Sequence, residues 1–188
     1  RLFGDSGVTK ILTIEASGIG IACLTALGFG VPVLFAKKAK SANVTGRIYC
    51  SKVHSYTHGN DSNVFVSQDY LLPTDRVLII DDFLAKGSAL EGLIDIVNQS
   101  GATLVGAGVL IEKEYQGGGN IIRERGIRVE SLAKIASLDE NGIGYIDINS
   151  FKSNTFDLFE EAVDYMKENN IEIPAFTTDN YHKLIACD

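Results

Sequence analysis

Val77-Leu78-Ile79-Ile80-Asp81-Asp82-Phe83-Leu84-Ala85-Lys86-Gly87-Ser88-Ala89 runs from four apolar residues through two acids and a small-residue loop into a helical pattern. A short apolar run bounded by polar residues reads as a strand buried on both faces, here ending in Asp81-Asp82. From Ser88 to Ser100, Leu90, Leu93, Ile94 and Val97 recur at i, i+3, i+4 and i+7, an amphipathic helix that stops before Gly101. Backbone N–H groups in a loop at a helix N-terminus, with the positive end of the helix dipole behind them, form a site for phosphate. Gly87 permits close backbone approach, and Ser88 can donate its hydroxyl or cap the helix. Two carboxylates beside a phosphate repel it unless they face neutral donors such as ribose hydroxyls. Together the two features point to a ribose 5-phosphate; the plainer alternative is helix capping in a solvated loop.

Outward from this stretch the pattern repeats. Lys10–Ile14, Val31–Ala36, Leu104–Ile111, Val129–Ala133 and Tyr145–Ile148 read as strands, and Gly18–Leu27 as an apolar, mostly buried helix stopped by Gly28 and Gly30. A further helix is expected near Asn120–Arg125, after a flexible turn at Gly117-Gly118-Gly119. Arg47–His54 and Asn63–Ser67 are extended segments around a polar centre, which suggests a projecting hairpin or hood. Strands alternating with helices imply an α/β fold: an open, mainly parallel, Rossmann-like sheet with helices on both faces. Such sheets bind ligands at the carboxyl ends of their strands. Three of those ends carry unusual polar groups: Glu15-Ala16-Ser17-Gly18, Asp81 through Ala89, and Glu112-Lys113.

Composition narrows the function classes. The chain has 188 residues, 45% of them hydrophobic and 22% charged, which suits one globular domain. Its formal net charge is −7, and residues 149–188 alone hold three lysines against eight acids. An acidic chain without basic blocks is a poor nucleic-acid binder. No apolar run is long enough for a membrane helix and no signal peptide opens the chain, so no membrane partner and a cytoplasmic location are expected. Cys23, Cys50 and Cys187 lack metal or disulfide spacing, and Cys23 reads as a small core residue. His54 and His58 stand four apart, but in a segment that reads as hairpin rather than helix, so no protein-held metal is assigned. Phe156, Phe159, Val163 and Met166 form one apolar stripe in a C-terminal helical extension, residues 149–188, which is not expected to be a separate domain. Because the chain opens on Arg1, an upstream segment is expected.

The Asp81–Ala89 segment resembles the phosphoribosyl diphosphate (PRPP) motif of the type I phosphoribosyltransferases. The likeness is nearest to the xanthine-using bacterial members and runs from about Gly7 to about Ile148. It takes in Thr13-Ile14-Glu15-Ala16-Ser17-Gly18-Ile19, Phe35-Ala36-Lys37-Lys38-Ala39-Lys40-Ser41, the Asp81–Ala89 segment, Ile111-Glu112-Lys113, and Arg128-Val129-Glu130-Ser131-Leu132-Ala133. The resemblance implies a phosphoribosyltransferase domain over residues 1–148, lacking the family's N-terminal purine clamp, with Ser55-Tyr56-Thr57 in a mobile hood.

The resemblance also assigns roles. Asp81 and Asp82 hold the ribose hydroxyls and act as the catalytic carboxylates, while Ala85, Lys86, Gly87, Ser88 and Ala89 hold the 5′-phosphate. Glu15, Ala16, Ser17 and Gly18 form the diphosphate loop, which in the family often contains a non-proline cis peptide; the bland reading is a turn capped by Ser17. Lys37 and Lys38, ahead of Lys40, would counter the diphosphate charge. Lys113 would meet a ring oxygen of an oxopurine, with Phe83 and Leu84 as an apolar wall; a surface ion pair of Lys113 with Glu112 or Glu114 is the alternative. Ala85 stands where the guanine–hypoxanthine members carry a third acid. The implied reaction is transfer of the phosphoribosyl group from PRPP to an oxopurine, xanthine favoured, with Mg²⁺ carried by PRPP and a homodimer as the assembly. The alternatives are a guanine–hypoxanthine enzyme and a PRPP-sensing purine repressor-like regulator.

Overall fold

The structure is a computed structural model that describes residues 2–38, 46–55, 60–138, 143–148, 178–179 and 182–186. Among the described residues ten strands follow in chain order: β1 Lys10–Ile14, β2 Val33–Ala36, β3 Ile48–Ser55, β4 Asn60–Ser67, β5 Arg76–Leu84, β6 Thr103–Lys113, β7 Val129–Leu138, β8 Ile143–Ile148, β9 Thr178–Asp179 and β10 His182–Ala186. The helices are α1 Gly18–Phe29, α2 Ser88–Ser100 and α3 Gly118–Glu124, with a 3₁₀ turn at Glu114–Gln116. Among the described residues, eight strands form one sheet in the order β2-β1-β5-β6-β7-β8-β10-β9. The pairings from β2 to β7 are parallel, and β8, β10 and β9 extend the sheet in antiparallel fashion.

Alternate residues of a strand face opposite sides of the sheet, so the two helix layers can be read off β1 and β5. Leu12, Val77 and Ile79 share a core with Leu90, Leu93, Ile94, Ile96 and Val97 of α2. Ile11, Leu78 and Ile80 share the other with Phe3, Ala22 and Ala26, which puts α1 on the opposite face. At the foot of the sheet, the Lys10 ammonium lies 2.6 Å from Asp75, which also accepts the Leu72 N–H at 2.8 Å. Burial alone would raise the Asp75 carboxyl, but these donors hold it below the usual range.

β3 and β4 form the expected antiparallel hairpin. Its base is packed, with Val53, Val64 and Val66 buried in the α2-side core. A Cβ on Gly92 of α2 would come within 2.3 Å of Val53 Cγ2, so glycine is what lets the hairpin lie against the helix. Lys37 joins this base to β2 through reciprocal 2.9 Å backbone bonds with Phe65.

Several expectations need correction. β5 continues through both acids to Leu84 and β6 through Glu112 to Lys113, because Phe83 pairs with Ile111 and Leu84 with Glu112. α1 passes through Gly28 and ends at Gly30, whose left-handed φ of 71° closes it with an N–H to Ala26 O. This helix is apolar but not mostly buried. Only Gly18, Ala22 and Ala26 are buried, while Leu24 and Leu27 are exposed at 73% and 82%; Cys23 is exposed as well. The stripe predicted at Phe156–Met166 lies outside the described residues, as do Lys40, Tyr56 and His58.

Candidate active site

The carboxyl ends of β1, β2, β5 and β6 carry the polar groups singled out above. After β1 the chain turns through Glu15–Ser17 into α1, and the Glu15–Ala16 peptide is cis. Ser17 takes the N-cap position with no side-chain capping bond. Ala16 and Ser17 are exposed at the head of α1, whereas Gly18 is buried. Glu15 is occupied structurally: its carboxylate accepts the Lys38 N–H at 2.5 Å and so ties the first loop to the lysine segment.

Gly18 marks where this loop meets the acid pair. A Cβ there would lie 2.4 Å from Thr13 Oγ1 and 2.8 Å from Asp81 Oδ1. Asp81 is 6% exposed, while Asp82 is half-buried and donates its backbone N–H to Asp81 Oδ1 at 3.0 Å. Burial, then the adjoining Asp82 carboxyl, push Asp81 up to about 7 against the pull of that N–H and of the Lys38 charge. Asp81 thus exchanges its proton near neutrality with small changes in environment.

Beyond Leu84 the loop Ala85–Gly87 leads into α2. Gly87 has a φ of 90°, and α2 has no side-chain cap. Among the described residues, the N–H groups of Ala85, Gly87, Ser88 and Ala89 meet no protein acceptor. Four unclaimed donors at the positive end of a 13-residue helix suit a phosphate.

Lys113 closes β6. Glu112 pairs with Arg123 and Glu114 with Lys134, so neither neighbouring acid holds the Lys113 ammonium. It stands 5.5 Å from the centroid of Phe83, which is 48% exposed on β5. A cation and an aromatic face therefore stand side by side at adjoining strand ends. Leu84, by contrast, is 2% exposed within the α2-side core and presents no wall to a ligand.

The sequence reading missed a second cluster. Glu112 is 1% exposed and receives both terminal nitrogens of Arg123, at 2.7 and 2.6 Å, together with the Ser131 hydroxyl. Arg123 Nε also donates to Val129 O at 3.3 Å, which links α3 to β6 and β7. Burial would raise the Glu112 carboxyl, but Arg123 and Ser131 hold it low. The available signal was one acid inside an apolar strand, which requires a buried partner. The triple glycine is likewise a close-packed seat, with Gly118 and Gly119 buried at the start of α3. On the α1 side of the sheet, a mainly apolar hollow of about 200 Å³ lies between Phe3, Ile21, Phe29, Ile80 and Leu132; it reaches Asp81 but none of the donors named above.

The phosphoribosyl transferase domain model matches residues 4–119. A xanthine phosphoribosyltransferase of Lachnoclostridium phytofermentans is 58% identical over 139 residues, covering 74% of this chain and 72% of the relative. One from Moorella thermoacetica is 50% identical over 147 residues, covering 78% and 75%. Among solved structures, the adenine phosphoribosyltransferase of Giardia lamblia complexed with 9-deazaadenine superposes with a TM-score of 0.65 at 24% identity, over 72% of this chain and 75% of that one. At that identity the superposition speaks for the fold alone.

Proposed function

The chain belongs to the phosphoribosyl transferase domain family, and on that premise we propose that it is a xanthine phosphoribosyltransferase, making xanthosine 5′-monophosphate and diphosphate from PRPP and xanthine. The observation that carries the choice of base is 50–58% identity to xanthine enzymes over about three quarters of the chain.

The four open N–H groups of Ala85, Gly87, Ser88 and Ala89 take the 5′-phosphate, with Lys86 at the same loop. Asp81 and Asp82 accept hydrogen bonds from the ribose hydroxyls. Ala16, Ser17 and Gly18 face the diphosphate, Glu15 holds the lysine segment against them, and Lys37 and Lys38 balance its charge. Phe83 and Lys113 meet the purine, the ammonium toward a ring oxygen. An adenine amino group gains nothing from that cation.

The purine nitrogen attacks C1 of the ribose as the bond from C1 to the diphosphate oxygen breaks, and the bonding pair leaves with diphosphate. Positive charge develops on the ribose ring in the transition state. The acid pair lies beside the position where it develops, an electrostatic contribution that needs no reorganisation during reaction. Grip on the remote 5′-phosphate positions C1 for attack. Among the described residues no group of three or more His, Cys, Asp or Glu could cage a metal. Mg²⁺ would enter with PRPP, where one or two protein carboxylates suffice to hold it and the acid pair offers two. Its contribution is to neutralise charge on the departing diphosphate. No carboxylate base occupies the phosphate loop at Ala85, and xanthine is acidic enough to react partly as its own anion. The family's homodimer is part of the same proposal.

The test is turnover with PRPP and Mg²⁺ on xanthine, guanine, hypoxanthine and adenine. Xanthine is expected to give the highest kcat/KM; preference for another base overturns the assignment of substrate. Binding of PRPP without turnover of any base would instead mark a regulator.

A further inference from the structure

We infer that Glu112, Arg123 and Gly118 form a positioning device for the phosphate loop, an inference that rests on reading Ala85–Ala89 as the 5′-phosphate site. Gly118 donates its N–H to Ala85 O at 3.2 Å. A Cβ on Gly118 would lie 2.3 Å from Ala85 O, 2.4 Å from Lys86 C and 2.6 Å from Gly87 N, so the first turn of α3 lies directly against the loop backbone. Gly87 completes the contact from the other side, because a Cβ there would lie 3.2 Å from Ile122 Cδ1 and 3.5 Å from Gly118 Cα.

α3 has only seven residues and could not hold a fixed place alone. Arg123 fixes it, with two nitrogens on Glu112 and Nε on Val129 O, while Gly119 leaves the room these groups fill: a Cβ there would lie 1.9 Å from Glu112 Oε1 and 2.7 Å from Arg123 Nη1. The sheet thus grips α3 through a two-bonded ion pair whose carboxylate is buried, and α3 in turn fixes the loop. A bidentate pair constrains angle as well as distance. Neither Glu112 nor Arg123 touches the proposed ligand. Their effect is transmitted to one subsite.

This arrangement separates the two anion subsites. The diphosphate loop at Glu15–Gly18 is held by Glu15 and Gly18 contacts that share no residue with the clamp. Loosening α3 should therefore weaken grip on a 5′-phosphate and leave grip on diphosphate unchanged.

The experiment compares the wild-type protein with Gly118→Ala, Arg123→Lys and Glu112→Gln by equilibrium titration with ribose 5-phosphate and, separately, with Mg²⁺-diphosphate, alongside steady-state kinetics. Gly118→Ala is expected to raise the Kd for ribose 5-phosphate and the KM for PRPP at least about tenfold, with diphosphate Kd and xanthine KM within about twofold. Arg123→Lys keeps the charge but loses the planar fork, and Glu112→Gln keeps the shape but loses the charge; both should show the same selective loss in smaller degree. Should Gly118→Ala not fold, these two conservative variants carry the test. Equal loss of both ligands, or unchanged ribose 5-phosphate binding, overturns the inference. Failure of wild-type protein to bind ribose 5-phosphate would instead overturn the reading of the loop, and the inference with it.

Discussion

Asp81 is the residue whose chemistry depends most on its surroundings. Its ordinary carboxyl value of 3.8 rises to about 7 because the fold buries it beside Asp82. A carboxyl raised in the folded state contributes stability that is complete below its unfolded value and is lost as pH climbs through the folded one. Between about pH 4 and 7 the ligand-free protein should lose this increment, and Asp81→Asn should flatten that part of the melting-temperature profile. Ribose hydroxyls favour the ionised acceptor, so PRPP binding should strengthen as pH rises through about 7. The same substitution should remove that dependence, as titration calorimetry without xanthine can read. At Lys113, replacement by Gln should lower kcat/KM for xanthine roughly 10- to 100-fold, in line with ~1.5–3 kcal/mol for a hydrogen bond to a charged group. Turnover of adenine should be little affected.

Elements were more legible than their limits. The apolar run at Val77 and the 3.6-residue periodicity of Ser88–Ser100 placed β5 and α2, because both signals are local. Strand ends were read short: Asp81 and Glu112 look like strand terminators until β6 pairs beside Asp81 and Arg123 satisfies Glu112. α1 misled in the opposite sense. Its composition suggests burial, but the sheet accepts only the stripe of Gly18, Ala22 and Ala26, and Leu24 and Leu27 remain outside. The clamp at Glu112 was illegible because its partners, Arg123 and Ser131, lie on two later elements. Leaving that buried charge alone should be expensive. Arg123→Ala, which strands the Glu112 carboxylate, should lower the unfolding free energy by about 3–5 kcal/mol in denaturant melts. At the foot of the sheet the sign is ordinary. Asp75 is held low by Lys10 and Leu72, so its contribution is present at neutral pH and lost as pH falls through the usual carboxylate range; Asp75→Asn should flatten acid denaturation there.

On the scale of the whole molecule, the sheet acts as a rack that brings four strand ends to one edge. Each end supplies a different group: β1 the Glu15–Gly18 loop, β2 the lysines, β5 the acid pair with the Ala85–Gly87 loop, and β6 the cation beside Phe83. The order β2-β1-β5-β6 makes these groups neighbours although they are up to about 100 residues apart in the chain. Sequence spacing reveals that such ends exist; only the strand order makes them one site. Gly18, where two of them meet, tests the convergence. Gly18→Ala forces a Cβ toward Thr13 and Asp81 and should lower kcat/KM by roughly 100-fold, since a displacement near 1 Å can cost that much.

On the proposed function, Asp81, Asp82 and the loop after them together grip a phosphorylated ribose. Calorimetric titration of Mg²⁺-PRPP into wild-type protein and into Asp81→Asn/Asp82→Asn, with melting curves showing both folded, tests it directly. Saturable binding to the wild type and a Kd at least about 100-fold weaker in the double variant is the predicted result. Equal affinity in the two proteins would contradict it.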